Sequence, residues 1–124
     1  MPSPTDTVEQ FMASFVDAWP RRDASELAPF FSIDAVYHNI PLDPVRGRDA
    51  IRQTLESFME MGGFVSVDVT NIVSDGGRVV VERVDHFTVS GKTSSLPIMG
   101  IFEVQDGLIT AWRDYFDLGQ FERE

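Results

Sequence analysis

A chain of 124 residues with 43% apolar side chains is sized for one domain, spanning 1–124, around a single core. Its 20 acidic residues against 10 basic ones leave a formal charge of −10, which argues against nucleic-acid backbones and anionic membrane surfaces as partners, since both need a basic face. The absence of cysteine excludes disulfides, zinc–thiolate sites and thiol nucleophiles.

The opening residues, MPSPTDTVEQ, have neither the basic nor the apolar region of a secretory signal, and no run approaches the ~20 apolar residues of a membrane span. A soluble cytoplasmic protein is the expectation. Ser3 or Thr5 can cap a first helix starting near Thr7, with Pro4 at its entry. Val8, Phe11, Met12, Phe15, Val16 and Trp19 recur at helical spacing, and Pro20 ends the run. A short second helix fits DASELAPFF, capped by Asp23 or Ser25. DAVYHNIP reads as a strand, with Ala35, Tyr37 and Asn39 on one face and Val36, His38 and Ile40 on the other. Pro41 and Pro44 end it and open a loop. GRDAIRQTLESFMEM predicts a third helix whose inner stripe is Ile51, Leu55, Phe58 and Met59, stopped by Gly62 and Gly63.

The remainder is β. FVSVDVTNIVS, RVVVERVDHFTV, TSSLPIMGIFEV and LITAWRDYFDL are separated by the turn sequences DGG, SGK and QDG, with Pro97 at a bulge or a sheet edge. Helices followed by a meander of long strands is an α+β pattern. Helices laid on one face of a strongly curved sheet can close into a cone around a pocket.

Three of these strands carry polar groups on an apolar face. Arg83 and Asp85, two apart, share a face with Val79, Val81 and Phe87. Asp114 shares one with Trp112 and Phe116, and Tyr37 with Asn39. Burying a charge costs several kcal/mol unless it is paired. A lone buried ion pair, or a face that is simply wet, accounts for any one of these; the set of five in one small domain points to a site. Two carboxylates bridged by one arginine can be held in opposite protonation states. The one buried among apolar groups keeps its proton and can donate it; its ionised partner can take one from a water held by tyrosine and asparagine. Such a pair suits hydrolytic opening of a strained, uncharged ring. No nucleophile elbow, P-loop or dinucleotide fingerprint is present, and no cluster has metal-ligand spacing. His38 and His86 fall on the opposite faces of their strands and read as packing or interface residues. The basic RGRDAIR reads as a structural helix entry.

The segments YHNIP, VERVD and GLITAWRDYFDL resemble the limonene-1,2-epoxide hydrolase family, and the resemblance runs from the first helix through the last strand. It implies a cone-shaped, curved mixed β-sheet packed against three or four N-terminal helices, the nuclear transport factor 2-like (cystatin-like) fold. It implies one-step addition of water to a small apolar epoxide, giving a vicinal diol with no covalent ester, cofactor or metal. Carried over residue by residue, Asp114, Tyr37 and Asn39 hold the water, Asp114 takes its proton, Asp85 protonates the epoxide oxygen, and Arg83 bridges the carboxylates. Expected pocket residues are Phe30, Leu42, Leu55 and Met59 from the first half of the chain. From the second half come Leu96, Ile98, Met99, Phe102, Trp112 and Phe116. A homodimer is also implied, through an open sheet face to which Val67, Val69, Val80, Val84, Ile101 and Tyr115 contribute. Two other readings of the same fold remain open: a ketosteroid isomerase-like or polyketide cyclase-like enzyme, and a non-catalytic small-ligand-binding domain.

Overall fold

Helix α1 (Pro4–Ala18) begins at Ser3, one turn before the expected start. The Ser3 hydroxyl accepts from the Asp6 N–H at 3.1 Å, and the Asp6 carboxylate accepts from the Ser3 N–H at 3.2 Å. This reciprocal cap satisfies two of the donors that a helix start leaves open. The chain is described here from a computed structural model covering residues 2–119, so the ends of the expected 1–124 domain lie outside the described residues. Past Ala18, Pro20 permits only a 3₁₀ turn (Trp19–Arg21), and Arg22 at φ 55° closes it. The expected second helix does not form. Pro29 has no N–H and would clash with the carbonyl four residues earlier, so DASELAPFF gives only a 3₁₀ turn at Ala28–Phe30. Among the described residues the helical layer is therefore two α-helices and two short turns, fewer than expected.

Strand β1 (Phe31–Asn39) leads into the Pro41–Pro44 loop. That loop returns as a short strand, β2 (Val45–Arg46), which the sequence did not signal. Helix α2 (Arg48–Met61) buries Ile51, Leu55 and Met59 and stops at Gly62 (φ 74°). The sheet is completed by β3 (Phe64–Asp75), β4 (Arg78–Val89), β5 (Lys92–Gln105) and β6 (Leu108–Tyr115). Its order is β2-β1-β6-β5-β4-β3, with β1 parallel to β6 and every other neighbour antiparallel. Register shifts within β1, in β3 at Phe64–Ser66 and Val69–Asn71, and in β5 at Glu103–Val104 are where such a sheet bends. Beyond Met99, β5 is paired with β4 alone, so Pro97 sits where one side of the strand has no ladder to break.

Helix α1 crosses β3 to β6 on the concave face and α2 lies against β1 and β2. Phe11 is the centre of the core. It is fully buried and meets Phe30, Phe31, Phe102 and Trp112 edge-on at 5.1–6.0 Å, the geometry aromatic pairs prefer. This core fills one end of the space under the helices; the other end stays open.

On the convex face, Val80, Val84, Ile101 and Tyr115 fall in outward rows, as expected. Val67 and Val69 do not. They lie opposite Asp85 and Arg83, and residues directly opposite in a ladder share a face. Among the described residues no helix is long and apolar enough to cross a membrane.

Candidate active site

Arg83 and Asp85 alternate inward on β4, and Asp114 does so on β6, with β5 lying between those strands. Arg83 reaches over β5 to Asp114 in a bidentate pair, Nη1 to Oδ1 at 3.0 Å and Nη2 to Oδ2 at 2.7 Å. Its Nε donates to Asp85 Oδ1 at 3.1 Å. What allows the crossing is Gly100, which lies opposite Val81 on one side and Asp114 on the other. A Cβ at Gly100 would sit 2.7 Å from both Arg83 Nη1 and Asp114 Oδ1. Sequence reasoning missed this residue; its signal is a glycine in mid-strand, which weakens a sheet unless something approaches closely.

Trp112, two residues before Asp114, donates from Nε1 to Asp114 Oδ1 at 2.8 Å. On its other side the indole stacks on Tyr37, with centroids 4.2 Å apart and planes 20° apart. Tyr37 and Asn39 reach the site because β1 runs parallel to β6, with Tyr37 beside Trp112 and Asn39 beside Asp114. Asn39 Nδ2 donates to the Tyr37 oxygen at 3.0 Å. The five residues thus converge from three strands.

All three charges are buried. Burial alone would lower the Arg83 pKa, but the Asp114 and Asp85 carboxylates more than offset it and raise it. Burial pushes the Asp85 carboxyl above the usual range; the Arg83 charge opposes this and the nearby Asp114 carboxylate adds to it. Burial, then Asp114, pushes the Tyr37 phenol up, which keeps it a neutral donor. The hydrogen bonds leave defined openings. Among the described residues Asp114 Oδ1 accepts two donors and Oδ2 only one, while Asp85 Oδ2 has no hydrogen-bond partner. Each carboxyl group therefore has an oxygen with room for a ligand or water.

Arg83, Asp85, Asp114, Tyr37 and Asn39 all line a cavity of about 820 Å³, whose other walls are mainly apolar side chains. Of the expected pocket residues, Leu42, Leu96, Ile98, Trp112 and Phe116 line it. The others do not. Leu55, Met59 and Phe102 are fully buried in the core, because their helix stripe or strand row meets Phe11's end of the space. Phe30 packs on Phe11 for the same reason. Met99 lies opposite Glu82 and Tyr115 on the convex face, since Ile98 and Gly100 take the inward rows, and it is exposed. Residues the sequence reading left out of the pocket line it instead: Phe15 from α1, Trp19 from the 3₁₀ turn that follows it, Phe58 and Met61 from the end of α2, and Phe64, Phe87 and Leu118. Phe87 was legible, since it continues the Arg83–Asp85 row. The two histidines stay outside. His86 sits on the convex side between Asp68 and Ser95, at 2.8 Å from each, and His38 contacts the Leu42 carbonyl at 2.9 Å. In the basic helix entry, Arg52 is paired to Asp49 and Glu56. Among the described residues no group of three His, Asp or Glu is arranged to hold a metal.

Comparison with known proteins gives a consistent picture. The model of the limonene-1,2-epoxide hydrolase catalytic domain matches residues 2–123. The chain is 32% identical over 105 residues to epoxide hydrolase EphG of Mycobacterium tuberculosis, covering 85% of this chain and 70% of that protein. The solved structure of an M. tuberculosis LEH-like epoxide hydrolase superposes with a TM-score of 0.73 at 29% identity, covering 92% of this chain and 85% of that one. A Catenulispora acidiphila protein described as having a ketosteroid isomerase-like fold matches with a TM-score of 0.73 over 89% of this chain and 87% of that one; at 20% identity it speaks to the fold alone.

Proposed function

The chain belongs to the limonene-1,2-epoxide hydrolase family, and from that premise we propose that it adds water to an apolar epoxide in a single step, using Asp85, Arg83 and Asp114 with Tyr37 and Asn39. Membership supports epoxide hydrolase activity at the level of the family. The observation that carries the finer reading is one arginine clamping two carboxylates, each with an oxygen still open, in the wall of a mainly apolar cavity.

The roles follow from the surroundings of each group. In this reading Tyr37 and Asn39 hold the attacking water beside Asp114, which Asn39 neighbours across the β1–β6 pairing. As its oxygen attacks a ring carbon, its proton passes to Asp114. The carbon–oxygen bond of the ring breaks, and the leaving oxygen takes the proton that burial keeps on Asp85. The product is a vicinal diol. The step ends with Asp85 ionised and Asp114 protonated, and a proton returned through solvent resets the pair. Arg83 stays charged throughout and limits the cost of having either carboxylate ionised. Positioned acid and base groups each contribute about 10²–10⁴ in rate.

The test is diol formation from limonene oxide, cyclohexene oxide and styrene oxide by the wild type, Asp85→Asn and Asp114→Asn. Turnover by the wild type and its loss in both variants is the expected result; full activity in either variant would remove the mechanism. The convex face, with Val80, Val84, Ile101 and Tyr115, is proposed as the surface of a homodimer. Elution as a species of monomer size at micromolar concentration would contradict that.

A further inference from the structure

The walls of the cavity differ in chemistry. Next to the charges its floor is aliphatic. Leu96 lies opposite Asp85 and Ile98 opposite Arg83 on the β4–β5 ladder, and both line the cavity. The side formed by the end of α1, the 3₁₀ turn after it and the start of β3 is aromatic. Phe15, Trp19 and Phe64 all line the cavity, and each ring touches the other two. Their centroids are 5.1 Å apart for Phe15–Trp19, 5.6 Å for Phe15–Phe64 and 4.9 Å for Trp19–Phe64.

The backbone holds this trio in place. Gly62 and Gly63, at φ 74° and 95°, carry the chain from α2 into β3. The Gly63 carbonyl accepts from the Thr88 N–H at 2.7 Å, which seats Phe64 opposite Phe87. Trp19 is held by packing: its Nε1 is buried with no hydrogen-bond partner among the described residues. The trio also adjoins both carboxylates. Phe15 meets Trp112, the donor to Asp114 Oδ1, edge-on at 6.1 Å. Phe87, the ladder partner of Phe64, lies two residues beyond Asp85 in the inward row, or about 7 Å at ~3.3 Å per residue. A ring-sized group on the reacting centre therefore reaches the aromatic wall.

We propose that the site selects epoxides that carry an aryl ring on the oxirane, with the oxirane at Asp85 and Asp114 and the aryl ring against Phe15, Trp19 and Phe64. Selection among epoxides rests on the hydrolase reading; the aryl-binding wall does not. Its physical basis is the ring quadrupole. Aromatic rings in edge-to-face or offset-stacked contact gain more than the area they bury, enough for about two- to ten-fold in affinity. A cyclohexyl ring has the same carbon count, no quadrupole and a larger apolar surface, so burial alone would favour it over phenyl. A preference for phenyl over cyclohexyl therefore reads the wall and not general hydrophobicity.

The experiment has two arms, with Phe64→Leu and Trp19→Leu as variants that keep apolar bulk. Trp19→Leu strands no hydrogen-bond partner, since the indole N–H has none among the described residues. In the first arm, binding of the diols of styrene oxide and of cyclohexyloxirane is measured by calorimetry, with no epoxide and no turnover involved. The wild type is expected to hold the phenyl diol about two- to ten-fold tighter, and both variants to bring the ratio to one or below. In the second arm, kcat/KM is measured for the two epoxides themselves. Their intrinsic reactivities cancel when the phenyl-to-cyclohexyl ratio of each variant is divided by that of the wild type, and this quotient is expected to fall about two- to ten-fold. Equal or tighter binding of the cyclohexyl diol by the wild type overturns the proposal whatever the hydrolase activity, and so does a phenyl preference, in either arm, that survives both substitutions. A phenyl preference in binding that both substitutions remove, with no turnover of either epoxide, would sustain the aryl wall and bring down the hydrolase reading instead.

Discussion

Gly100→Ala is the smallest change that reaches the centre of the site. The added Cβ would lie 2.7 Å from both Arg83 Nη1 and Asp114 Oδ1, atoms that are themselves 3.0 Å apart in a hydrogen bond. Ordinary contact begins near 3.4 Å, so each group has to retreat by about 0.7 Å, and the methyl pushes them apart. Gly100 is not at positive φ, so its backbone accepts alanine, and with nothing overhead the substitution would stabilise the strand by roughly 0.5–1 kcal/mol. Weakening one charge-assisted hydrogen bond costs about 1.5–3 kcal/mol. The difference predicts a net loss of about 1–2 kcal/mol, or roughly 3–10 °C in Tm for a domain of this size. Activity is more sensitive, since a misplacement on the order of 1 Å costs about 10²-fold. Thermal melts and kcat on one epoxide measure both effects. Wild-type kcat with an equal or higher Tm would refute the reasoning, because it would mean that the clamp does not depend on the empty space at Gly100.

Asp85→Asn is expected to abolish turnover and also to change how stability depends on pH. A carboxyl whose pKa is raised in the folded state adds stability that is fully present below its unfolded value of about 3.9 and is lost as pH rises through the folded value. Relative to Asp85→Asn, the wild type should therefore lose Tm as pH rises across that window; parallel Tm curves would count against a protonated Asp85. For the same reason wild-type activity should fall on the alkaline side as Asp85 ionises, and a profile without that limb would deny Asp85 the acid's role. Trp112→Phe keeps an aromatic ring against Tyr37 but removes the N–H that Asp114 Oδ1 accepts. It is expected to lower kcat about ten-fold with little change in KM, since the lost hydrogen bond orients the base and does not bind substrate; a rise in KM alone would make Trp112 merely part of the pocket wall.

The long strands and their turns could be read directly, because period-two alternation and the DGG, SGK and QDG signals agree over β3 to β6. The inward row of Arg83, Asp85 and Phe87 followed from the same parity, as did Asp114 beside Trp112. Parity failed where the register shifts: bulges in β3 put Val67 and Val69 on the concave rows. At Met99 parity holds, since strict alternation with Ile98 and Gly100 in the inward row leaves Met99 outside. Local pattern also cannot say which part of a buried stripe meets core and which meets open space. Leu55 and Met59 fill the end under Phe11, while Phe58 and Met61, nearby on the same helix, line the cavity. The expected helix at DASELAPFF failed for a reason present in the sequence, since Pro29 is the fourth residue after its proposed Ser25 cap, where a helix needs the N–H that proline lacks. Gly100 could not be found by pattern at all, because its role is to leave room for groups from two neighbouring strands.

The most direct test of the central claim is single-turnover hydrolysis of one epoxide in ¹⁸O-water with enzyme in excess. Attack by an oriented water at Asp114 predicts that the first diol formed carries one ¹⁸O and that the protein carries none. A first diol without label, with ¹⁸O appearing in the carboxyl group of Asp85 or Asp114, would show a covalent ester and contradict the account.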